Sequence, residues 1–483
     1  MQMIKRIYFI TVCLVLLTNN VITSAASLKA ELKTLFKTQP SYVWSIAVEN
    51  AKSGDKLFEI TPHRNLIPAS NEKIPICAAI LLKLGPEYVY QTTLHHTGSI
   101  EGSTLHGDLI VTGSGDPSIG GRFNDGNITY QFHLWAELLK RKGIKSIQGD
   151  IIGVDNVFDD IPHGLNWNPV DLVEWYAAEV SALSFNDGCI NILIQGSKTP
   201  GKPAALSLNP PTKYIQLKPS VKTVKTRKSD KGVEIIRNPK ETALQVKGTI
   251  RAKRSSTLYA SIPNPTLFFV TVLKETLQKE GIKVTGSSVD GDNVILKERK
   301  AWKKLDAFNS PPLKQLVEVC LRNSQNLYAE HFIKTLGYTE YGQGSWPMGV
   351  MAVNDILTGH GCKLDGVYFA DGSGLSRENR LSANALIEIL KSVRKSPQSK
   401  LFFNSLPQSG VSGTLKQRMR GTAAYKRVFA KTGTLNGTRS LSGLIKAKSG
   451  QTYLFSFLGN AKRNASHISK LADKACALIA SKG

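Results

Sequence analysis

The sequence predicts an α+β protein whose first domain begins near the N-terminus and is completed at the C-terminus, with a β-rich block between. Near the N-terminus, "YVWSIAVENAKSGDKLFEI" alternates and turns at Ser53-Gly54, which is typical of a hairpin. Near the C-terminus, "VFAKTGT", "RSLSGLIKA" and "TYLFSFLGN" predict three strands, and "ISKLADKACALIAS" predicts a helix with one apolar stripe. Between them, short segments such as "LHGDLIVTG" end in Gly and Asp turns, and one helix is predicted near residues 265–280.

The length of 483 residues predicts two or three domains. We assign residues 1–26 to a signal peptide, 27–91 to the first part of the split domain, 92–288 to the β-rich insert and 289–483 to the second part. The basic start, the apolar run "IYFITVCLVLL" and the small residues after it indicate an exported or periplasmic protein. An uncleaved membrane anchor is the alternative for this run.

The formal net charge is +25, and part of it is concentrated in "KTVKTRKSDKGVE". This run has no interleaved aromatic residues for base stacking, and an exported protein is separated from nucleic acid, so we expect no nucleic-acid partner. A solvated hairpin or loop is the first interpretation of the run. Weak association with an anionic wall polymer or membrane surface is the second.

The cysteines indicate neither a metal site nor a cofactor. One of the six lies in the signal run, and no Cys-x-x-Cys spacing occurs among the rest, so a zinc site is not expected. An odd number in an oxidising compartment leaves at least one free thiol. We interpret most of them as buried packing residues, and their pairing is open. The five remaining cysteines are Cys77, Cys189, Cys320, Cys362 and Cys476.

Three short motifs indicate serine chemistry. "IPASNEKIPIC" places Ser70 and Lys73 one helical turn apart at a helix start, although an N-cap serine with a surface lysine is the simpler alternative. "RNSQNLYAEHF" holds Ser324–Asn326 at the entry to a helix, and "FAKTGTL" holds Lys431–Gly433 on a strand. Ser-x-x-Lys, a Ser-x-Asn triplet and Lys-Thr-Gly in this order are typical of penicillin-binding proteins and β-lactamases.

Longer segments extend the match, including "TLHGDLIVTGSGDPS", "EVSALSFNDG", "FADGSGLSRENRLS" and "LPQSGVSGTLKQRM". Together with the motifs they resemble the class C low-molecular-mass penicillin-binding proteins, which are D-alanyl-D-alanine carboxypeptidases and endopeptidases. The resemblance runs from about Trp44 to the C-terminus. It implies a transpeptidase/β-lactamase-like domain, with an antiparallel sheet flanked by helices, interrupted by a long insert between the first two motifs.

The resemblance also implies roles for individual residues. Ser70 would be the nucleophile and Lys73 its base, which requires a neutral amine, and burial near Lys431 would lower the pKa of Lys73. Ser324 would relay the proton to the leaving nitrogen, and Asn326 would hold the substrate's amide. The backbone N–H groups of Ser70 and Thr434 would form an oxyanion hole. The strand residues that would receive the terminal carboxylate of D-alanine are Lys431, Thr432, Gly433 and Thr434.

Two further side chains have competing interpretations. Asp155, in "GDIIGVDNVFDD", matches the position at which family members bind the free amine of the diamino acid in the stem peptide. An aspartate that caps a turn is an equal alternative. His331 follows Ser324 on a helix, but no Gly-x-Ser-x-Gly elbow accompanies it, so we expect a packing or surface role.

The favoured hypothesis is a serine D-Ala-D-Ala carboxypeptidase that acts on peptidoglycan stem peptides through a Ser70 acyl-enzyme and is covalently inhibited by β-lactams. Endopeptidase action on the same polymer is left open. One alternative is a β-lactam hydrolase of the same fold. Another is a catalytically idle protein that binds the wall through its basic insert.

Overall fold

The computed structural model describes residues 27–37, 41–238, 240–293, 302–462 and 465–483. The predicted signal in residues 1–26 lies outside this part of the chain. Along the described residues, no helix is both long and apolar enough to cross a membrane. The chain divides into two compact units. Of the described residues, unit 1 draws on those within 27–85, 317–325 and 353–483, and unit 2 on those within 86–316 and 326–352.

The helices and strands of the described residues are as follows. The helices are α1 (residues 27–37), α2 (Lys73–Leu84), α3 (Tyr130–Arg141), α4 (Pro265–Lys279), α5 (Leu313–Arg322), α6 (Asn326–Tyr341), α7 (Trp346–Gly359), α8 (Ala383–Lys395), α9 (Ser399–Ser405) and α10 (Ser466–Lys482). The strands are β1 (Tyr42–Asn50), β2 (Lys56–Ile60), β3 (Gln91–His96), β4 (Ser99–Glu101), β5 (Thr104–His106), β6 (Leu109–Thr112), β7 (Ser146–Ile147), β8 (Ile151–Val154), β9 (Cys189–Gln195), β10 (Ala205–Asn209), β11 (Gln216–Val224), β12 (Gly232–Ile236), β13 (Ala243–Arg251), β14 (Ser255–Ser261), β15 (Lys283–Val284), β16 (Ser288–Asp290), β17 (Lys303–Asn309), β18 (Val428–Leu435), β19 (Thr438–Lys446) and β20 (Thr452–Ala461).

Unit 1 is built on a five-stranded antiparallel sheet in the order β18-β19-β20-β1-β2. The predicted N-terminal hairpin, the three C-terminal strands and the last helix are confirmed. Strand β1 pairs with β20 from Tyr42↔Ala461 to Asn50↔Tyr453, which joins the two ends of the described chain in one sheet. Apolar side chains of α1 and α10, such as Leu32 and Leu471, belong to one core with the sheet.

Unit 2 contains four sheets of three to five strands, with the orders β16-β8-β6-β3-β17, β15-β7-β5-β4, β10-β9-β14 and β11-β13-β12. The predicted helix near residues 265–280 is confirmed as α4. Helix α3 was not predicted, although its buried Phe132, Trp135 and Leu139 follow helical spacing. Phe132 packs edge-on against Phe269 of α4, with 4.9 Å between ring centroids. The block between the two halves of unit 1 therefore contains α3 as well as the predicted strands and α4.

Two details of the insert differ from the sequence-based expectation. Strand β17 pairs antiparallel with β3, so the chain up to residue 316 belongs to unit 2, beyond the expected end at residue 288. The middle of the run "KTVKTRKSDKGVE", residues 225–231, forms a largely exposed loop, as expected. The two ends of the run belong to β11 and β12, which do not form a hairpin. Strand β13 separates them, pairing parallel with β11 and antiparallel with β12.

A buried lysine anchors helix α6 within unit 2. Lys334 is fully buried, and its Nζ donates to Asp159 Oδ1 at 2.6 Å and to the carbonyl of Ile161 at 2.9 Å. The same ammonium lies 3.9 Å from the centroid of the Trp346 ring. An ammonium without water must be satisfied by such partners, so these contacts fix where α6 packs.

We expect Lys334→Ala to destabilise unit 2 by about 1–3 kcal/mol, because it leaves the half-buried Asp159 and the carbonyl of Ile161 without their donor. The measurement is the free energy of unfolding from urea denaturation. The matched control is Lys279→Ala at the exposed end of α4, which should change stability by less than about 0.5 kcal/mol. Equal denaturation midpoints for the two variants would show that the Lys334 contacts add no stability.

Candidate active site

Ser70 lies in a short 3-10 turn, Ala69–Glu72, that runs directly into α2. Ala69, just before it, has φ of +48°, a left-handed conformation that costs energy for a residue other than glycine. Pro75 is the third residue of α2, where its backbone nitrogen has no partner in the helix, so it removes no helical hydrogen bond. Pro75 therefore leaves α2 intact.

Strand β19 holds the Ser70 turn in place. Ser440 Oγ donates to the carbonyl of Pro68 at 2.6 Å, and Asn71 Nδ2 donates to Ser442 Oγ at 2.6 Å. The neighbouring strand β18 comes so close that a β-carbon at Gly433 would lie 2.1 Å from Ser440 Oγ and 3.1 Å from the nitrogen of Ser70. A glycine is needed at this position because any side chain would displace the turn.

Lys73 is fully buried beside the nucleophile candidate. Its Nζ lies 3.2 Å from Ser70 Oγ and donates to the carbonyl of Ser373 at 2.6 Å. The pair predicted from Ser-x-x-Lys is thus brought within hydrogen-bonding distance, and the alternative of a surface lysine is wrong. The contact with Ser373 was not predicted, because a backbone carbonyl has no signature in the sequence.

The Ser373 carbonyl is positioned by a loop folded around Asp371. Asp371 Oδ1 accepts hydrogen bonds from Gly374 N and from Asn379 Nδ2, both at 2.8 Å, and Oδ2 accepts one from Ser376 N at 2.6 Å. All of these residues are buried. The segment "FADGSGLSREN" was part of the family resemblance, and its Asp and Asn are the signal from which this loop could have been found.

A second serine and a second lysine form a similar pair. Ser324 connects α5 to α6 with φ of +61°, and its Oγ accepts a hydrogen bond from Lys431 Nζ at 2.8 Å. Lys431 lies on β18, is fully buried, and also donates to the carbonyl of Thr432 at 2.9 Å. Burial, and then the positive charge of Lys73, hold the pKa of Lys431 well below its ordinary value.

Two thiols pack within unit 1, close to these pairs in sequence. Cys77 lies one turn after Lys73 on α2, and Cys320 lies one turn before Ser324 on α5, with 3.5 Å between the sulfur atoms. Burial raises the pKa of Cys77 well above its ordinary value, so the thiol stays protonated. All five cysteines of the described residues are buried free thiols, which confirms the packing interpretation.

The remaining strand residues and Asn326 are placed as follows. Thr432 Oγ1 lies 2.7 Å from Thr414 Oγ1, and Thr434 is exposed two residues further along β18. Asn326 is the first residue of α6 and belongs to unit 2, where its Nδ2 donates to the carbonyl of Tyr176 at 2.7 Å. Unit 1 therefore brings together both serine–lysine pairs.

Asp155 is part of a carboxyl cluster in unit 2. Its Oδ2 accepts hydrogen bonds from Ser181 Oγ and Thr266 Oγ1, both at 2.6 Å, and oxygens of Asp155, Asp290 and Asp292 lie within 4.8 Å of one another. Burial, and then the neighbouring carboxylates, raise the pKa of Asp292 to about 7. Such a cluster can hold a protonated amine or a hard cation.

His331 has the packing role expected for it. It is fully buried in unit 2, with Nδ1 at 2.8 Å from the carbonyl of Gly115 and Nε2 at 3.2 Å from Ser184 Oγ. Burial lowers its pKa to about 4, so the ring is neutral at physiological pH. The histidine is engaged by structural partners rather than by a serine of a motif.

The two serine–lysine pairs form a site in which a hydroxyl and a buried amine can exchange a proton. This is the arrangement needed to activate a serine without histidine. A family model described as D-Ala-D-Ala carboxypeptidase 3 (S13) matches residues 28–482. The chain therefore belongs to this family of serine peptidases, and the predicted family is confirmed.

Similar proteins agree with this assignment. The D-alanyl-D-alanine carboxypeptidase of Actinomadura sp. (strain R39) is 28% identical over 86% of this chain and 78% of its own length. The D-alanyl-D-alanine carboxypeptidase DacB of Haemophilus influenzae is 27% identical over 81% of this chain and 79% of its own length. The crystal structure of penicillin binding protein 4 from Haemophilus influenzae covers 92% of this chain and 98% of that chain, with a TM-score of 0.77 and 24% identity. The predicted fold class is confirmed.

We expect Asp371→Ala to lower both stability and activity. It leaves three buried donors unsatisfied, at about 1–3 kcal/mol each, and it releases the carbonyl that holds Lys73. The measurements are urea denaturation and kcat/KM on a D-Ala-D-Ala peptide. Asp365→Ala on the protein surface is the control and should change neither. If the Asp371→Ala protein were destabilised but fully active, the loop would not be needed to position Lys73.

Proposed function

We propose that the protein is an exported serine carboxypeptidase that removes the terminal D-alanine from peptidoglycan stem peptides through an acyl-enzyme on Ser70. The observation that carries the proposal is the 3.2 Å contact between Ser70 Oγ and the buried Nζ of Lys73. Export is supported by the signal pattern of residues 1–26. The polymer is inferred from family membership and from the names of the relatives.

In the first half-reaction, Ser70 Oγ attacks the carbonyl carbon of the penultimate D-alanine and its proton passes to Lys73 Nζ. The bond between the two D-alanines breaks, leaving an ester on Ser70, and the departing amine takes up a proton through Ser324. In the second half-reaction water attacks the ester and restores the serine hydroxyl. Lys73 can accept a proton only when neutral, and its burial favours that state.

The negative oxygen of the tetrahedral intermediate needs two donors. We assign them to the backbone N–H groups of Ser70 and Thr434. The close approach of Gly433 to the nitrogen of Ser70 supports this assignment, because it brings the next residue of β18 to the same place. Backbone donors fixed by a sheet and a turn lose little energy in reorganising during the reaction.

The terminal carboxylate of the substrate is assigned to the exposed end of β18. Lys431 supplies the positive charge, and Thr432 and Thr434 supply hydroxyl donors, while Gly433 lets β18 lie close to the Ser70 turn. An extended peptide can lie along a strand edge and end at such a group of donors. Asn326 is assigned to the substrate's amide, for which its side-chain donor and acceptor are suited.

The carboxyl cluster of unit 2 is assigned to the stem peptide's diamino acid. Asp155, with Asp290 and Asp292, would bind its free amine as a cation. Because the pKa of Asp292 is about 7, the cluster gains negative charge as the pH rises through neutrality. Selection for a diamino acid should therefore strengthen from pH 6 to pH 8.

β-Lactams are assigned as covalent inhibitors that acylate Ser70. The structure of penicillin binding protein 4 from Haemophilus influenzae was also solved in complex with a β-lactam. A β-lactam presents a strained amide and a carboxylate in the places of the scissile bond and the D-alanine terminus. A hydrolase of β-lactams would differ by releasing this adduct quickly, which a chromogenic β-lactam would reveal.

We expect Lys73→Met to reduce kcat for release of D-alanine by about 10²–10⁴-fold, the range for loss of a general base. Methionine keeps the volume buried, and a thermal melt checks that the fold survives. The control is Lys83→Met at the exposed end of the same helix, which should keep wild-type kcat. A folded Lys73→Met protein with more than a tenth of wild-type kcat would remove Lys73 as the base.

We expect Lys431→Ala to lower kcat/KM on a peptide acid by at least roughly tenfold, since a charged hydrogen bond contributes about 1.5–3 kcal/mol. A peptide amide lacks the carboxylate and should lose less. The pKa of Lys431 is lowered, so its charge disappears as the pH rises through that lowered value. Wild-type kcat/KM on the peptide acid should therefore begin to decline at a pH below about 10.4, which is the ordinary pKa of lysine.

The matching variant is Lys431→Arg, because arginine keeps its charge at every accessible pH. If it folds, its alkaline fall in kcat/KM should move to higher pH. An equal loss on acid and amide substrates in Lys431→Ala would make Lys431 a structural residue of β18 instead of a carboxylate-binding one. Those two substrates give a result even if the arginine variant fails to fold.

A further inference from the structure

One end of the sheet β11-β13-β12 in unit 2 concentrates positive charge. Because β11 and β13 are parallel and β12 is antiparallel to β13, the C-terminal ends of the first two meet the start of the third. The loop before β10 lies at the same end of the sheet, where Gly201 N donates a hydrogen bond to the carbonyl of Thr223 at 2.8 Å. We call the three segments 196–203, 222–231 and 251–254 the basic end.

The basic end combines ten exposed cations with one acid. The cations are Lys198, Lys202, Lys222, Lys225, Arg227, Lys228, Lys231, Arg251, Lys253 and Arg254. The acid, Asp230, is turned inward, with a side chain that is 5% exposed. It accepts hydrogen bonds from Arg254 Nη1 at 2.8 Å and from the backbone of Gly232 at 3.2 Å. It therefore organises the loops and offsets little of the outward charge.

The composition of the basic end narrows the chemistry of its partner. It has no aromatic residue on which a nucleic-acid base could stack, and no exposed large apolar residue to enter a lipid layer. Seven of the ten cations are lysines, and each lysine acts as a single point charge. Bidentate recognition of a phosphate group instead favours arginine. Spaced lysines suit carboxylates that are repeated along a flexible polymer.

We propose that the basic end binds the free carboxylates of the peptidoglycan mesh and holds the enzyme on its polymeric substrate. This inference rests on the proposed function, because it takes the substrate polymer as the partner. Stem peptides repeat along the glycan and each carries several carboxylates, so many weak contacts can act together. Each contact is exposed and screened by salt, which lets the enzyme move along the mesh.

The test measures sedimentation of Ser70→Ala protein with purified peptidoglycan sacculi, so that the polymer is not cut during binding. The basic-end variant adds Lys225→Gln, Arg227→Gln and Lys228→Gln. The control adds three exposed lysine substitutions outside unit 2, which remove the same charge: Lys33→Gln, Lys400→Gln and Lys474→Gln.

We expect the basic-end variant to bind sacculi about five- to tenfold more weakly at moderate salt, as three exposed ionic contacts of a few tenths of a kcal/mol imply. The control should stay within about twofold of its parent, on the ordinary scale of surface substitutions. An equal loss in both variants would mean that only total charge matters, and would overturn the proposal. Unchanged binding by the basic-end variant would overturn it as well.

A second arm separates the polymer from a membrane. The same proteins are sedimented with vesicles of phosphatidylglycerol and phosphatidylcholine. Loss of vesicle binding with intact sacculus binding would assign the basic end to lipid and overturn the proposal.

A third arm measures kcat/KM on a short D-Ala-D-Ala peptide with Ser70 restored, which the basic-end substitutions should leave unchanged. If the enzyme failed to cleave that peptide while sacculus binding followed the expected pattern, the proposed reaction would be wrong and the binding surface would stand.

Discussion

The turn that carries Ser70 is held by two buried hydrogen bonds from β19, and the rest of the site depends on them. The partners Pro68 and Ser440 are 372 positions apart in sequence, and Asn71 and Ser442 are 371 apart. The turn has these hydrogen-bond partners only when the C-terminal strands are paired with the N-terminal hairpin. The geometry of the site therefore depends on pairing between the two ends of the described chain.

Once the turn is in place, the electrostatics follow from the exclusion of water. Lys73 and Lys431 are both fully buried, and each is directed to a serine hydroxyl and to a backbone carbonyl. A buried ammonium is unfavourable and a second one nearby makes it more so, which is why the pKa of Lys431 is lowered. A lysine that is to act as a base at neutral pH needs a pKa lowered in this way, and burying its charged form is unfavourable.

The sequence predicts those parts of the protein that short-range patterns determine. Alternation and turn residues gave the hairpin β1–β2 and strands β18–β20, and motif order identified Ser70, Lys73 and Lys431. Helix α3 was missed although its apolar spacing was readable. The parallel pairing of β11 with β13 and the Ser373 carbonyl could not be predicted, because register between distant strands and the direction of a backbone carbonyl leave no pattern of residue types.

The proposed reaction requires that Ser70 becomes acylated. The most direct measurement is mass spectrometry of the intact protein and its peptides after incubation with benzylpenicillin. We expect one adduct per chain, on the peptide that contains Ser70. An adduct on the peptide that contains Ser324, or no adduct on a folded protein, would contradict the assignment of the two serine–lysine pairs.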